Sequence, residues 1–318
     1  MTDPNQLPRV VVAFCTYNRS GRLPGLVAAL RAQACDEPFD LLAVDNNSTD
    51  DTSKVLRVLA EQTGPRLRSI KELKQGIVPA RNRLLAEAAG AEFLLMLDDD
   101  ELPQPGWLQS GLAALRDQGL DCVGGRVRVN FEPHGRPAWL RDELLGFLAE
   151  VDHGQADFTI IDDSTPIWTA NVGYRMALFA EGLRFDARYS RAGKAVGGGE
   201  DVVMFQTLLG LQVHMGYRPH MAVDHFVEPW RLCRRYFLRL HFSSGLRAGL
   251  HATDVSGRTL FGVPLYLFPQ ALRQAWRTVR IALGSERSRW LRQGMNFTHA
   301  CGRIVGTLRR AQLPHTAP

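Results

Sequence analysis

Residues 94–101 read Leu-Leu-Met-Leu-Asp-Asp-Asp-Glu, an apolar run that ends in four carboxylates. Adjacent carboxylates repel one another and resist desolvation, so packing alone gives no reason for them. A divalent cation does. On an extended chain successive side chains alternate, which puts Asp98 and Asp100 on one side and Asp99 on the other. Two carboxylates at the carboxyl end of a strand suit a hard divalent cation, with positions left open for phosphate oxygens. The plainer reading is a solvated acidic turn.

Other residues could work beside that cluster. Thr16, Tyr17, Asn18 and Arg19 follow a short β-branched run. Thr16 and Tyr17 there can frame a planar base with backbone groups and an aromatic face. Asp45 is an acceptor-only carboxylate after a second apolar run, with a turn or helix cap as its plainer alternative. Arg81 falls in the first turns of a helical pattern, where a guanidinium can reach a nucleotide or lie on a solvated face. Gly197-Gly198-Gly199-Glu200-Asp201 sets three glycines before two acids. Glycines let a backbone approach a ligand closely, and the carboxylate pair can then meet sugar hydroxyls. The same segment also reads as a capped helix start. His225 follows another short apolar stretch, where a packed histidine and a ligand are both possible.

These residues need a scaffold. Strand patterns at 9–14, 41–44, 67–70 and 93–97 alternate with helical patterns near 23–30, 55–59 and 78–90. Continuous apolar strands separated by helices predict an α/β fold, a mostly parallel sheet with helices on both faces. Such sheets bind ligands beyond the carboxyl ends of their strands, where Thr16–Arg19, Asp45–Ser48 and Asp98–Glu101 all fall. Further strands are expected near 122–129 and 168–175.

The chain has 318 residues, 45% hydrophobic and 22% charged, enough to bury a sizeable core. Its five cysteines are scattered without metal-type spacing, which fits a reducing cytoplasm rather than a disulfide framework. No signal-peptide pattern opens the chain, and no apolar run is long enough to span a bilayer. The net charge of +5 is unevenly spread. Residues 230–318 carry 15 Arg, no Lys and 2 acids, against 23 basic and 31 acidic residues in 1–229. That contrast predicts two parts, 1–229 and 230–318, that meet different partners.

Taken together, the motifs resemble the family 2 inverting glycosyltransferases, whose nucleotide-diphospho-sugar-binding domain is of the GT-A type. The matching segments are Val12–Arg19, Val44–Asp50, Gly76–Asn82, Leu97–Glu101, Thr169–Val172, Phe185-Asp186 and Gly198–Asp201. They cover roughly residues 9–250, and the Ala-Arg-Asn and Asp-Asp-Asp-Glu-x-Pro features are similar to bacterial exopolysaccharide enzymes of the succinoglycan type. The resemblance implies a nucleotide-sugar donor, UDP-linked, bound by Thr16, Tyr17, Asn18, Arg19, Asp45, Asn47, Arg81, Asp98 and Asp99. Asp45 would take the imide N–H of uracil, Asp98 would face the ribose, and Asp99 would support them. The metal, Mg²⁺ or Mn²⁺, would be held by Asp100 with Asp98 and His225. Asp201 would be the general base, while Glu200 and Asn171 would bind the saccharide or lipid-linked acceptor.

Two rivals share the architecture. A sugar-1-phosphate nucleotidyltransferase needs a Gly-rich basic loop after the first strand, and Thr-Tyr-Asn-Arg-Ser-Gly-Arg fits that poorly. A catalytically dead sugar-binding relative has no need to keep Asp98, Asp100 and Asp201 together.

The tail reads as basic amphipathic helices. Arg231, Arg235 and Arg239 form one ridge, with Leu232, Tyr236 and Leu240 beside it. Arg273, Arg277 and Arg280 oppose Leu272, Trp276, Val279 and Leu283. Such helices can pack on a core or dock on an anionic membrane surface, placing the protein peripherally on the inner face of the cell membrane. The acidic first part argues against nucleic acid as a partner.

Overall fold

The computed structural model describes residues 9–132, 134–190, 198–252, 257–284 and 289–312. It divides into two compact units, 1–132 with 148–227, and 133–147 with 228–318. The segment 133–147, which the charge contrast places in the first part, thus clusters with the second.

The first unit is built on a nine-stranded sheet. Its strands are β1 (Val10–Thr16), β2 (Phe39–Asp45), β3 (Leu67–Lys71), β4 (Phe93–Leu97), β5 (Glu101–Pro103), β6 (Cys122–Asn130), β7 (Phe158–Ile160), β8 (Asn171–Arg175) and β9 (Met215–Phe226). The order is β3-β2-β1-β4-β8-β6-β9-β5, with β7 on β9. β1, β2, β3 and β4 run parallel, as do β6 and β9. β8 enters between β4 and β6 antiparallel to both. This reversal follows from the chain path: β8 arrives from the site end of the sheet instead of through a helical crossover.

β1 and β4 are apolar on both faces, and their residues Val10–Phe14 and Phe93–Leu97 are buried throughout. Such strands belong in the middle of a sheet covered by helices. Around it pack α1 (Leu23–Arg31), α2 (Thr52–Ala60), α3 (Ile77–Glu87), α4 (Trp107–Arg116) and α5 (Glu200–Gly210). The expected α/β fold, with mostly parallel strands and surrounding helices, is the one observed.

The second unit contains α6 (Arg234–Leu250), α7 (Leu267–Leu283) and α8 (Trp290–Gln312). Arg231 lies in a separate short turn, Pro229–Arg231, so the ridge expected through Arg231, Arg235 and Arg239 begins only at α6. Trp139 stacks edge-on against Phe237 of α6 at 5.6 Å, and Phe147 against His241 at 4.6 Å. α6 and α8 pack through glycines. A Cβ on Gly245 would overlap the carbonyl of His299, and one on Gly302 would overlap that of Phe242. Gly249 and Gly306 repeat the arrangement one turn further on. The overlaps involve backbone, which cannot yield as a flexible side chain would. Gly302→Ala should therefore cost about 1–3 kcal/mol, the usual range for overpacking. Denaturant unfolding of the full chain checks this, and an unchanged midpoint would contradict so close a contact.

Candidate active site

The chemistry-bearing residues meet along one edge of the sheet. β1 ends at Thr16 and β2 at Asp45, and these two residues are register partners. β4 ends at Leu97, opposite Asn171, the first residue of β8. Glu101 of β5 pairs with His225 near the end of β9. Residues distant in sequence are thus joined by strand register alone.

The first two loops lock together. Asn18 adopts a left-handed conformation (φ 53°), which Asn tolerates, and its Oδ1 accepts from Thr49 N at 2.8 Å. Its own N–H donates to Ser48 Oγ at 2.9 Å. Asp45 is 3% exposed; Oδ1 accepts from Ser48 N at 2.9 Å and Oδ2 from the Ser53 hydroxyl. The turn-forming reading of Asp45 therefore holds. A carboxylate has about four acceptor positions, so it remains compatible with receiving a ligand N–H. Asn47, also left-handed at φ 60°, closes the turn by donating to the Asp45 carbonyl. Tyr17 is half-buried.

Asn46 is a residue the sequence reading passed over. Buried, it donates from Nδ2 to the carbonyl of Lys74 at 2.8 Å and accepts at Oδ1 from Gly76 N at 2.8 Å. This pins the entrance of α3, the helix that carries Arg81. The pattern Asp-Asn-Asn offered a signal, since one Asn suffices for the turn.

The acidic segment is a turn, not an extended strand. Asp98 to Glu101 closes with Glu101 N donating to the Asp98 carbonyl at 3.2 Å, and Glu101 Oε2 accepts from Asp98 N at 3.1 Å. The alternation expected for Asp98, Asp99 and Asp100 does not apply, because a turn points consecutive side chains in three directions. Asp98 meets Arg81 Nη2 at 3.1 Å, Asp99 lies 3.8 Å from Arg19 Nε, and Asp100 lies 3.7 Å from His225 Nε2. Burial, then the neighbouring Asp100 charge, raises the Asp99 carboxyl above its ordinary range. Burial, followed by Asp98 and Asp100, lifts Glu101 still more clearly. Glu101 is 1% exposed, and its Oε1 has no partner among the described residues. The fourth carboxylate is thus an internal brace of the turn, a role that its sequence position beside three exposed-looking acids concealed.

Arg81 occupies the centre. It is buried, and its guanidinium divides between Asp98 Oδ1 and Glu200 Oε1, the latter at 2.9 Å. Burial opposes the charge, but Asp98, Glu200 and Asp201 together raise its proton affinity above the ordinary value. It lies on no solvated helix face. Glu200 opens α5 after Gly199, whose φ of 112° favours glycine. Gly197, the first glycine of the run, is outside the described residues. Glu200 is 3% exposed, so its expected contact with acceptor hydroxyls gives way to the pairing with Arg81. Its Oε2 nevertheless has no hydrogen-bond partner among the described residues. Asp201, one residue on, is partly exposed and accepts from Val202 N at 2.8 Å.

Asn171 is corrected outright. It is 1% exposed, donates to the carbonyls of Arg126 at 2.9 Å and Met221 at 2.7 Å, and accepts from Trp107 Nε1 at 2.7 Å. Both amide protons are spent inside the sheet, where they bracket β6 to β9, so the buried side chain has no donor left for an acceptor sugar.

Among the described residues no three His, Cys, Asp or Glu side chains group as a metal site. Asp98 is engaged by Arg81, which leaves Asp100 and His225 as neighbours. A carboxylate oxygen beside an imidazole nitrogen is a donor pair that a divalent cation accepts while drawing its other ligands from phosphate and water. The pair fits such an ion.

Residues 11–183 match the model of glycosyl transferase family 2. The chain is 31% identical over 133 residues to glycosyltransferase AglE of Haloferax volcanii, covering 42% of this chain and 43% of that protein. It thus spans less than half the length of that relative. Among solved structures, the mannosyltransferase PcManGT from Pyrobaculum calidifontis, in complex with GDP-Man and Mn²⁺, superposes with a TM-score of 0.59 at 17% identity, over 94% of this chain and 87% of that one. TarS of S. aureus in complex with UDP gives 0.52 at 16% identity, over 93% and 90%. At such identity these neighbours establish the GT-A fold alone. With more than half of its length matched by the family model, the chain belongs to glycosyl transferase family 2.

Proposed function

We propose that the protein is an inverting glycosyltransferase. It moves a sugar from a UDP-linked donor to a hydroxyl of a saccharide or lipid-linked saccharide, in the synthesis of a cell-surface polysaccharide or glycoconjugate. The observation that carries this reading is Arg81: one buried guanidinium ties the acidic turn at Asp98 to the start of α5, where Asp201 stands. A donor side and an acceptor side are thereby fixed to one another.

Thr16, Tyr17 and Asp45 would take the base, with Asp45 accepting its imide N–H. Asn18 and Asn47 shape that loop, and Arg19 would contact the phosphates. Asp98 would accept from a ribose hydroxyl. Asp100 and His225 would hold Mg²⁺ or Mn²⁺, which supplies neutralisation of charge on the departing diphosphate. Asp201 would remove the acceptor hydroxyl proton as its oxygen attacks the anomeric carbon. The bond from that carbon to the β-phosphate oxygen breaks on the opposite face, and the configuration inverts. Asp99 and Glu101 hold the turn, and Glu200 positions the helix start that presents the base. A lipid-linked acceptor places this chemistry at a membrane surface.

Thermal shift with nucleotide sugars tests the donor side. A ligand at about a hundred times its dissociation constant stabilises by about 2.7 kcal/mol, a shift of several degrees. A UDP-sugar with Mn²⁺ should give it, and Asp100→Asn should lose the metal-dependent part. A response to GDP-linked sugars alone would replace the donor class and leave the transferase reading standing. No response to any nucleotide sugar would sink that reading.

A further inference from the structure

The helix α7 presents an apolar stripe to solvent. Leu272 is 71% exposed, Trp276 60%, Val279 56% and Leu283 74%. At 100° per residue these four fall within about 60° of one another, so they form one narrow band along the helix. The opposite side holds the helix in place, with Leu267 and Ala271 buried and the Gln274 side chain accepting from Gln293 of α8. The stripe is therefore presented by an anchored helix, and nothing among the described residues covers it.

Its flank decides what does. Arg273, Arg277 and Arg280 line one side of the stripe, and α7 contains no Asp, Glu or Lys. The Arg280 guanidinium stacks over the Trp276 ring, 4.8 Å from its centroid. Neither α6 nor α8, the helices it packs with, contains an acid either. A second copy docking by the same face would set arginine against arginine, since a two-fold interface brings identical surfaces together. An anionic surface takes the arginines and the apolar stripe at once. Tryptophan and arginine at one level suit the boundary between headgroups and acyl chains.

We propose that α7 is a membrane-docking helix. It lies along an anionic lipid bilayer, with Leu272, Trp276, Val279 and Leu283 inserted below the headgroups and Arg273, Arg277 and Arg280 among the lipid phosphates. No helix of the described residues is long and apolar enough to cross a membrane, so the contact is made lying on the surface. The inference does not depend on the transferase reading, because binding is measured with neither donor nor acceptor present.

The full-length protein is sedimented with vesicles of phosphatidylcholine containing a quarter phosphatidylglycerol, and with phosphatidylcholine alone, at low salt. Binding is expected to the first and to be weak on the second. Each basic residue near the surface contributes about a fivefold factor, so R273Q/R277Q/R280Q should lower the partition coefficient by about a hundredfold. L272S/W276S should lower it at least tenfold while the melting temperature stays unchanged, since both side chains face solvent. Failure of the unaltered protein to bind anionic vesicles would overturn the proposal, as would binding unaffected by either variant. Dimers in solution that L272S/W276S dissolves would overturn it too, by assigning the stripe to a second copy.

Discussion

Asp201→Asn is expected to reduce sugar transfer by about 10²- to 10⁴-fold, the usual contribution of a positioned general base. The substitution removes one proton acceptor and one of three negative charges near Arg81, which keeps its ion pairs with Asp98 and Glu200. Asp201 Oδ1 accepts from Val202 N, and the Asn oxygen can do the same, so the first turn of α5 keeps its geometry. Asp201 is partly exposed, and no buried charge is stranded by the change. Donor affinity should stay within about twofold, because the donor-side residues lie on other loops. Steady-state kinetics with a competent acceptor, paired with calorimetry on the donor, separates the two effects. Full activity in this variant would reassign the base, and lost donor binding would show that α5 belongs to the donor side. The adjacent Glu200 makes a sharp control. It is buried against Arg81, so Glu200→Gln should act through the placement of α5 and lower stability as well as rate.

Arg81→Met should destabilise the first unit by about 3–5 kcal/mol, the cost of removing one partner from a buried ion pair. The Arg81 and Glu200 side chains are only 3% and 4% exposed, so Glu200 would be left charged in a site that water does not reach. Asp98 is 30% exposed and suffers less, because solvent can replace the guanidinium there. Arg81→Lys should rescue poorly. A guanidinium presents separate nitrogens to Asp98 and Glu200, whereas an ammonium is one compact charge. Arg81→Met combined with Glu200→Gln should regain much of the loss, since the charge left without a partner, Asp98, is within reach of solvent. Denaturant unfolding of the three variants reads this directly. A single Arg81→Met variant as stable as the parent would show that the guanidinium is dispensable to the fold.

Both predictions turn on burial, and burial was not legible in the motifs. Arg81, Glu200 and Asn171 all carry polar side chains that sequence reading sends to ligands. Arg81 and Glu200 are separated by 119 residues, and Asn171 finds Arg126, Met221 and Trp107 from three other elements. No local pattern encodes those encounters. The acidic turn is hidden for a nearer reason: strand alternation holds only up to Leu97, and the Asp98 carbonyl, accepting from Glu101, starts a turn there. The stripe on α7 was visible as an amphipathic face, yet its periodicity is the same whether it meets a core or solvent.

What the sequence by itself determined is the frame and its working edge. Buried strands need unbroken apolar runs and site loops need polar ones, so Val10–Thr16, Phe39–Asp45 and Phe93–Leu97 announced both the sheet and the end at which chemistry sits. The tertiary structure decided which of the polar residues are spent holding that edge together. Asn46, Glu101, Asn171 and the pair Arg81–Glu200 went to the scaffold, while Asp100 and Asp201 stayed partly exposed, with His225 buried beside Asp100. The physical reason is that a hydrogen bond or an ion pair is a contact between particular atoms. Only the register of strands and the packing of helices say which atoms meet.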